Sequence, residues 1–85
     1  MARSSARLYD NVVHVTQIYL GPAADRFVTR QIRNHLQKDP ERLASRDLEE
    51  LIDWIRVAMS FLTEDRVVID EYIRDLKTLT KTGEL

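Results

Sequence analysis

Residues 47–62, DLEELIDWIRVAMSFL, constrain the fold most, because no other segment is apolar on two faces. Leu48, Leu51, Ile52, Ile55, Met59 and Leu62 recur at the three-and-four spacing of one helical stripe. Trp54, Ala58 and Phe61 form a second stripe, about 60–100° round the cylinder at roughly 100° of rotation per residue. A helix apolar over most of its circumference has to be covered from several sides. The expectation is an all-α fold: a compact four-helix bundle with this third helix, residues 46–62, at its centre.

Composition supports that reading. Two Gly and two Pro in 85 residues favour long helices with short links over a many-turned β fold. A chain this short buries only about 60–65% of its unfolded surface, and association is a common way to add stability. The absence of Cys removes disulfides, thiolate catalysis and Cys-ligated zinc together. The start, MARSSAR, has no apolar run of signal-peptide type, and no stretch nears the ~18 apolar residues of a membrane span. A cytoplasmic protein with no membrane partner is expected.

Read in order, residues 1–5 are a polar arm and 6–79 a single helical domain, with 80–85 a frayed tail. Ser4 or Ser5 is placed to cap a first helix ending near Leu20, with Leu8, Val12, Val15 and Tyr19 on its inner stripe. Gly21-Pro22 is the sharpest punctuation, a left-handed helix end followed by a first-turn proline. A second helix over 22–37 points Ala24, Phe27, Val28, Ile32 and Leu36 inward, and Arg26, Arg30 and Arg33 outward near Thr29 and Asn34. A link with one turn at 40–43, capped by Asp39, leaves Leu43 as a plug. Ser45 is read as the cap of the third helix and Thr63 as that of the fourth, whose apolar face is Val68, Ile69, Tyr72, Ile73, Leu76 and Leu79. Asp53–Arg56, Arg66–Asp70 and Asp70–Arg74 have the spacing of helix-surface ion pairs.

Chemistry is scarce. His14 and His35 have no partner at metal-ligand spacing. Glu49, Glu50 and Asp53 are explained by the helix dipole at a first turn, and no calcium-loop pattern adjoins them. There is no phosphate-cradling Gly-rich loop and no nucleophile elbow. No catalytic residue, cofactor or metal is expected. Charge is more informative: residues 1–46 stand at +4 and residues 47–85 at −5. The basic half either packs beside an acidic half, in the same chain or in a second copy, or meets nucleic acid. For the latter, Arg26, Arg30, Arg33 and Asn34 follow a helix and sharp turn, loosely as in a helix-turn-helix, though the turn is shorter than usual.

Leu20-Gly21-Pro22, then Ala24, Phe27-Val28 and Arg30, the acidic start Asp47-Leu48-Glu49-Glu50-Leu51, and Thr63-Glu64-Asp65 through Tyr72-Ile73 and Leu76 carry a resemblance. Over residues 20–76 the chain resembles a small helical domain at the C-terminal ends of some bacterial signalling proteins of forkhead-associated, response-regulator and serine/threonine-kinase types. The second and third helices look longer here, and Trp54 departs from the pattern. The resemblance implies an assembly or docking module in bacterial signalling, with no catalytic residues to carry over.

The functional expectation is a non-enzymatic protein-interaction module that self-associates, as a homodimer, or binds another protein. Trp54 and Phe61 on the second stripe of the third helix, with Tyr9 and Tyr19 as aromatics on the apolar surface of the first, are the candidate interface anchors. The alternative is nucleic-acid binding through Arg26, Arg30, Arg33 and Asn34.

Overall fold

Helical periodicity runs from end to end, and a computed structural model describes residues 4–83, with side chains described for 8–80. Helices α1 (Ser4–Leu20), α2 (Ala24–Gln31), α3 (Leu48–Leu62) and α4 (Arg66–Gly83) carry the architecture, with no strand among the described residues. The all-α expectation therefore holds. The count of four separate helices is coarser in reality, because residues 4–36 form one unbroken helical path. It bends back at Gly21, so the chain has three long helical stretches, the first folded on itself. Its Cα radius of gyration of 12.0 Å matches the ~12 Å expected of a compact chain of this length.

The reversal follows from local chemistry. Gly21 takes φ +62°, a left-handed conformation that costs a residue with a Cβ about 1–2 kcal/mol. Pro22 then enters a single 3-10 turn over Gly21–Ala23, where its missing N–H costs nothing. Tyr9 fastens the two arms: its hydroxyl donates to Asp25, and the Thr29 hydroxyl lies 2.8 Å from it.

Beyond Gln31 the helix widens into a π turn, Ile32–Leu36, and Gln37 stops it in a left-handed conformation at φ 56°. The predicted turn after it is present as Pro40–Arg42, but Asp39 supplies only its backbone carbonyl and no side-chain cap. Leu43 is fully buried, as expected of a plug. Ser45 does not cap α3. It opens a further 3-10 turn, Ser45–Asp47, and Asp47 closes that turn by accepting the Ala44 N–H at 3.0 Å. The same carboxylate pairs with Lys38 at 2.6 Å, tying the two ends of the loop across Leu43. Partial burial pushes the Asp47 carboxyl up, but Lys38 and the Ala44 amide outweigh it and leave it below the usual carboxylate value.

At the other end of α3 the chain turns within three residues. Thr63 accepts the Asp65 N–H at 3.1 Å, and Asp65 is the true cap of α4, accepting from Val67 and Val68 at 3.1 and 3.3 Å. α1 begins at Ser4, so Ser4 and Ser5 lie inside it, and the rest of the expected arm, 1–3, lies outside the described residues. α4 continues through Gly83, past the expected end at Leu79 and into the expected tail, and residues 84–85 lie outside the description.

The core gathers on α3. Its stripe Leu48, Leu51, Ile52, Ile55 and Met59 is buried, joined by Val12, Val28, Ile32, Leu43, Ile69, Tyr72, Ile73 and Leu76. Burying aliphatic and aromatic side chains of this kind stabilises by ~1.5–3 kcal/mol each before chain entropy is subtracted. Leu62, expected on the stripe, is 59% exposed because α3 ends there and α4 leaves the corner. The expected pairs Asp53–Arg56, Arg66–Asp70 and Asp70–Arg74 are not closed. Lys38–Asp47 is the one ion pair among the described residues.

Candidate functional site

The second stripe of α3 is where the bundle leaves work undone. Trp54, Val57, Ala58 and Phe61 follow one another at helical spacing on the side that α1 and α4 do not cover. Trp54 is 37% exposed, Val57 47% and Phe61 83%, while Ala58 is half-buried. Leu62 and, just past the corner, Val67 at 65% are exposed as well. A lone exposed apolar side chain is ordinary; here five large ones, Trp54, Val57, Phe61, Leu62 and Val67, fall within 14 residues. Trp54 is held in place from one side: the His35 ring stacks on it, centroids 3.9 Å apart and planes within 6°. The π turn carries His35 there. Nothing in the local sequence marks that contact, because its partners lie on different elements.

Tyr9 and Tyr19, the other two candidate anchors, are placed differently. Both are half-buried against the core, and both hydroxyls are engaged within the chain. Tyr9 bonds Asp25, and burial together with that carboxylate raises its phenol above the ordinary value of 10. Tyr19 donates to Asp75 at 2.6 Å, which with burial pushes it up to about 12. Its ring tilts against that of Tyr72, centroids 5.0 Å apart. The structure thus brings Trp54 and Phe61 together on α3 and sets Tyr9 and Tyr19 as braces between helices.

One brace was missed at the sequence level. Thr16 is fully buried, donates to the Val12 carbonyl at 2.7 Å, and lies 2.6 Å from the Tyr72 hydroxyl. With its own proton spent on Val12, Thr16 is the acceptor and Tyr72 the donor. Polar Thr on an apolar stripe reads as surface, and only a partner 56 residues away makes it core.

The arginines form the second candidate surface. Arg26, Arg30, Arg33 and Asn34 are exposed and, with Pro22, Asp25 and Thr29, line one open depression of about 540 Å³. None of the three guanidinium groups closes an ion pair among the described residues. Glu49 and Asp53 border another depression, of about 370 Å³, beside Ile52, Lys77 and Thr80, and they too are unpaired. His14 is exposed, and among the described residues no three His, Asp or Glu side chains gather as metal ligands would. No described helix is long and apolar enough to cross a membrane. Neither a family model, nor a curated protein, nor a solved structure matches this chain.

Proposed function

We propose that the chain is a small non-enzymatic assembly module, a four-helix bundle when α1 and α2 are counted apart, that self-associates through the outer stripe of α3. The observation that carries this is Phe61, 83% exposed, on one stripe with Trp54 and Val57 and next to Leu62. A large aromatic held in water at the end of a rigid helix is a poor choice for a monomer and a good anchor for an interface. The occupant is a second copy. A stripe along one straight helix meets itself when two copies pair antiparallel about a two-fold axis, so no further surface has to be invented. A cysteine-free chain of 85 residues also has no other staple for its small core. Trp54 and Phe61 are the anchors in this reading, with Tyr9 and Tyr19 bracing the helix pairs behind them. The resemblance over residues 20–76 supports reading the module as one of bacterial signalling, and the absence of a signal-peptide run in MARSSAR supports reading it as cytoplasmic.

Absolute mass by light scattering, taken across protein concentration, tests it. The chain is expected to form a dimer that survives high salt, because apolar contacts are not screened. Phe61→Asp should give a folded monomer, since an exposed site changes monomer stability by only about 0.5 kcal/mol. A wild-type monomer at every concentration, or a Phe61→Asp dimer as tight as wild type, would overturn the assignment.

A further inference from the structure

The arginine row on α2 and the π turn that continues it is the strongest feature that the apolar interface leaves unused. We infer that it docks on the acidic first turn of α3 in a second copy, as an electrostatic contact additional to the apolar one. The inference rests on self-association and deepens it by naming a second contact surface. Three observations lead there.

First, neither set of charges is satisfied at home. Arg26, Arg30 and Arg33 are exposed and unpaired, and so are Glu49, Glu50 and Asp53. The segregation of charge between the two halves of the sequence is therefore not discharged by ion pairs inside the fold; only Lys38–Asp47 crosses it among the described residues.

Second, the spacings match in pairs. Arg26 and Arg30 are four residues apart on α2, as are Glu49 and Asp53 on α3. Arg30 and Arg33, the latter in the π turn, are three apart, as are Glu50 and Asp53. The arginines span seven residues and the carboxylates four, so one register brings two arginines onto two carboxylates, Arg26 and Arg30 onto Glu49 and Asp53 at a shared step of about 6 Å. Guanidinium groups suit carboxylates in particular, because their planar fork accommodates both oxygens.

Third, the opposing charges near each surface are few. Asp25 lines the arginine depression, but its carboxylate is occupied by Tyr9 and, at 3.4 Å, approached by Thr29. Lys77 borders the acidic depression without closing an ion pair there. Each surface keeps a net charge of its expected sign. An acidic protein face fits this better than a single-stranded nucleic acid does, because no aromatic side chain lines the arginine depression to stack a base.

Charge exchange tests the contact. One variant carries Arg26→Glu, Arg30→Glu and Arg33→Glu; the other carries Glu49→Lys, Glu50→Lys and Asp53→Lys. All six sites are exposed, and circular dichroism checks that each variant folds; Arg→Gln at the same three sites serves if the reversal does not. Association is measured by light scattering near 0.01 M salt, where screening extends about 30 Å, and near 1 M, where it is about 3 Å. At low salt each variant alone should associate about tenfold more weakly, the scale of two exposed ion pairs in each of two symmetry-related contacts. An equal mixture of the two should recover wild-type association, and the differences should vanish near 1 M salt. Variants that match wild type at low salt while Phe61→Asp abolishes association would overturn this contact and leave the apolar interface standing. The reverse result, with Phe61→Asp harmless and the charge variants defective, would uphold this contact and remove the apolar one. A wild-type monomer under all conditions would remove both. Tight, steeply salt-dependent binding of a short DNA duplex that the arginine variant loses, with no recovery in the mixture, would overturn this contact alone; the row would then serve nucleic acid.

Discussion

At the scale of single residues, three tyrosines hold the helices in register, each through a hydroxyl at the edge of an otherwise apolar contact. Tyr72 is the one fully inside: its ring is buried and its hydroxyl donates to Thr16. The two partners are not equivalent. Tyr72→Phe removes a donor but leaves Thr16 bonded to the Val12 carbonyl, a loss of ~1 kcal/mol. Thr16→Val strands the Tyr72 hydroxyl in the core, which costs about 1–3 kcal/mol. Urea unfolding should therefore show Thr16→Val as the more damaging change, and the opposite order would mean that the proton runs the other way. The same residues set an alkaline limit. Burial pushes Tyr72 up to about 12, and the Asp75 bond takes Tyr19 to about 12, both from 10. A raised phenol value means that the folded chain holds its proton more tightly than the unfolded one. The resulting stability is complete below pH 10 and drains away as pH rises through 12. Helical signal followed over that range should fall later in the double variant Tyr19→Phe, Tyr72→Phe, relative to its own value at pH 8.

At the scale of elements, two left-handed residues terminate helical segments, and they should respond to substitution with opposite signs. Gly21→Ala meets no atom within 4 Å of the added Cβ, so its cost is purely the backbone's, ~1 kcal/mol. Gln37→Gly relieves the same strain at φ 56° and should stabilise by about 0.5 kcal/mol, part of the gain being lost to unfolded-chain entropy. Thermal melts of the two variants on either side of wild type would bear this out; a shift in the same direction for both would not. The pair also shows what was legible beforehand. Gly21-Pro22 announces its turn because each residue has one strong backbone preference. Gln37 has none, and its left-handed conformation opens the loop in which Leu43 is buried and Lys38 pairs with Asp47. The buried stripe of α3 was readable because helical spacing and burial coincide in Leu51, Ile52, Ile55 and Met59. Whether Trp54 and Phe61 would be covered was not. Periodicity tells which residues share a face, while coverage depends on how far α2 reaches before its π turn. The braces were hidden for a related reason: Thr16 with Tyr72, and Tyr19 with Asp75, are each 56 residues apart.

At the scale of the whole molecule, the chain separates its forces by location. Apolar packing holds the inside, and among the described residues one partly shielded ion pair is closed, while the other charged side chains make none. Net charge is −1, so long-range self-repulsion is small as well. Folding and assembly should therefore answer to salt in different ways. A Phe61→Asp chain, studied as a monomer, should unfold in urea with a free energy that changes by less than about 1 kcal/mol between 0.01 and 1 M sodium chloride, since the single, partly shielded Lys38–Asp47 pair is worth about that much. The slope of that free energy against urea should stay constant, because it reports the surface exposed on unfolding. A loss of several kcal/mol at high salt would show instead that the +4 and −5 halves attract one another across the fold without close pairs. The arginine row would then be spent within its own chain, and the surface left to build an assembly would be the α3 stripe alone.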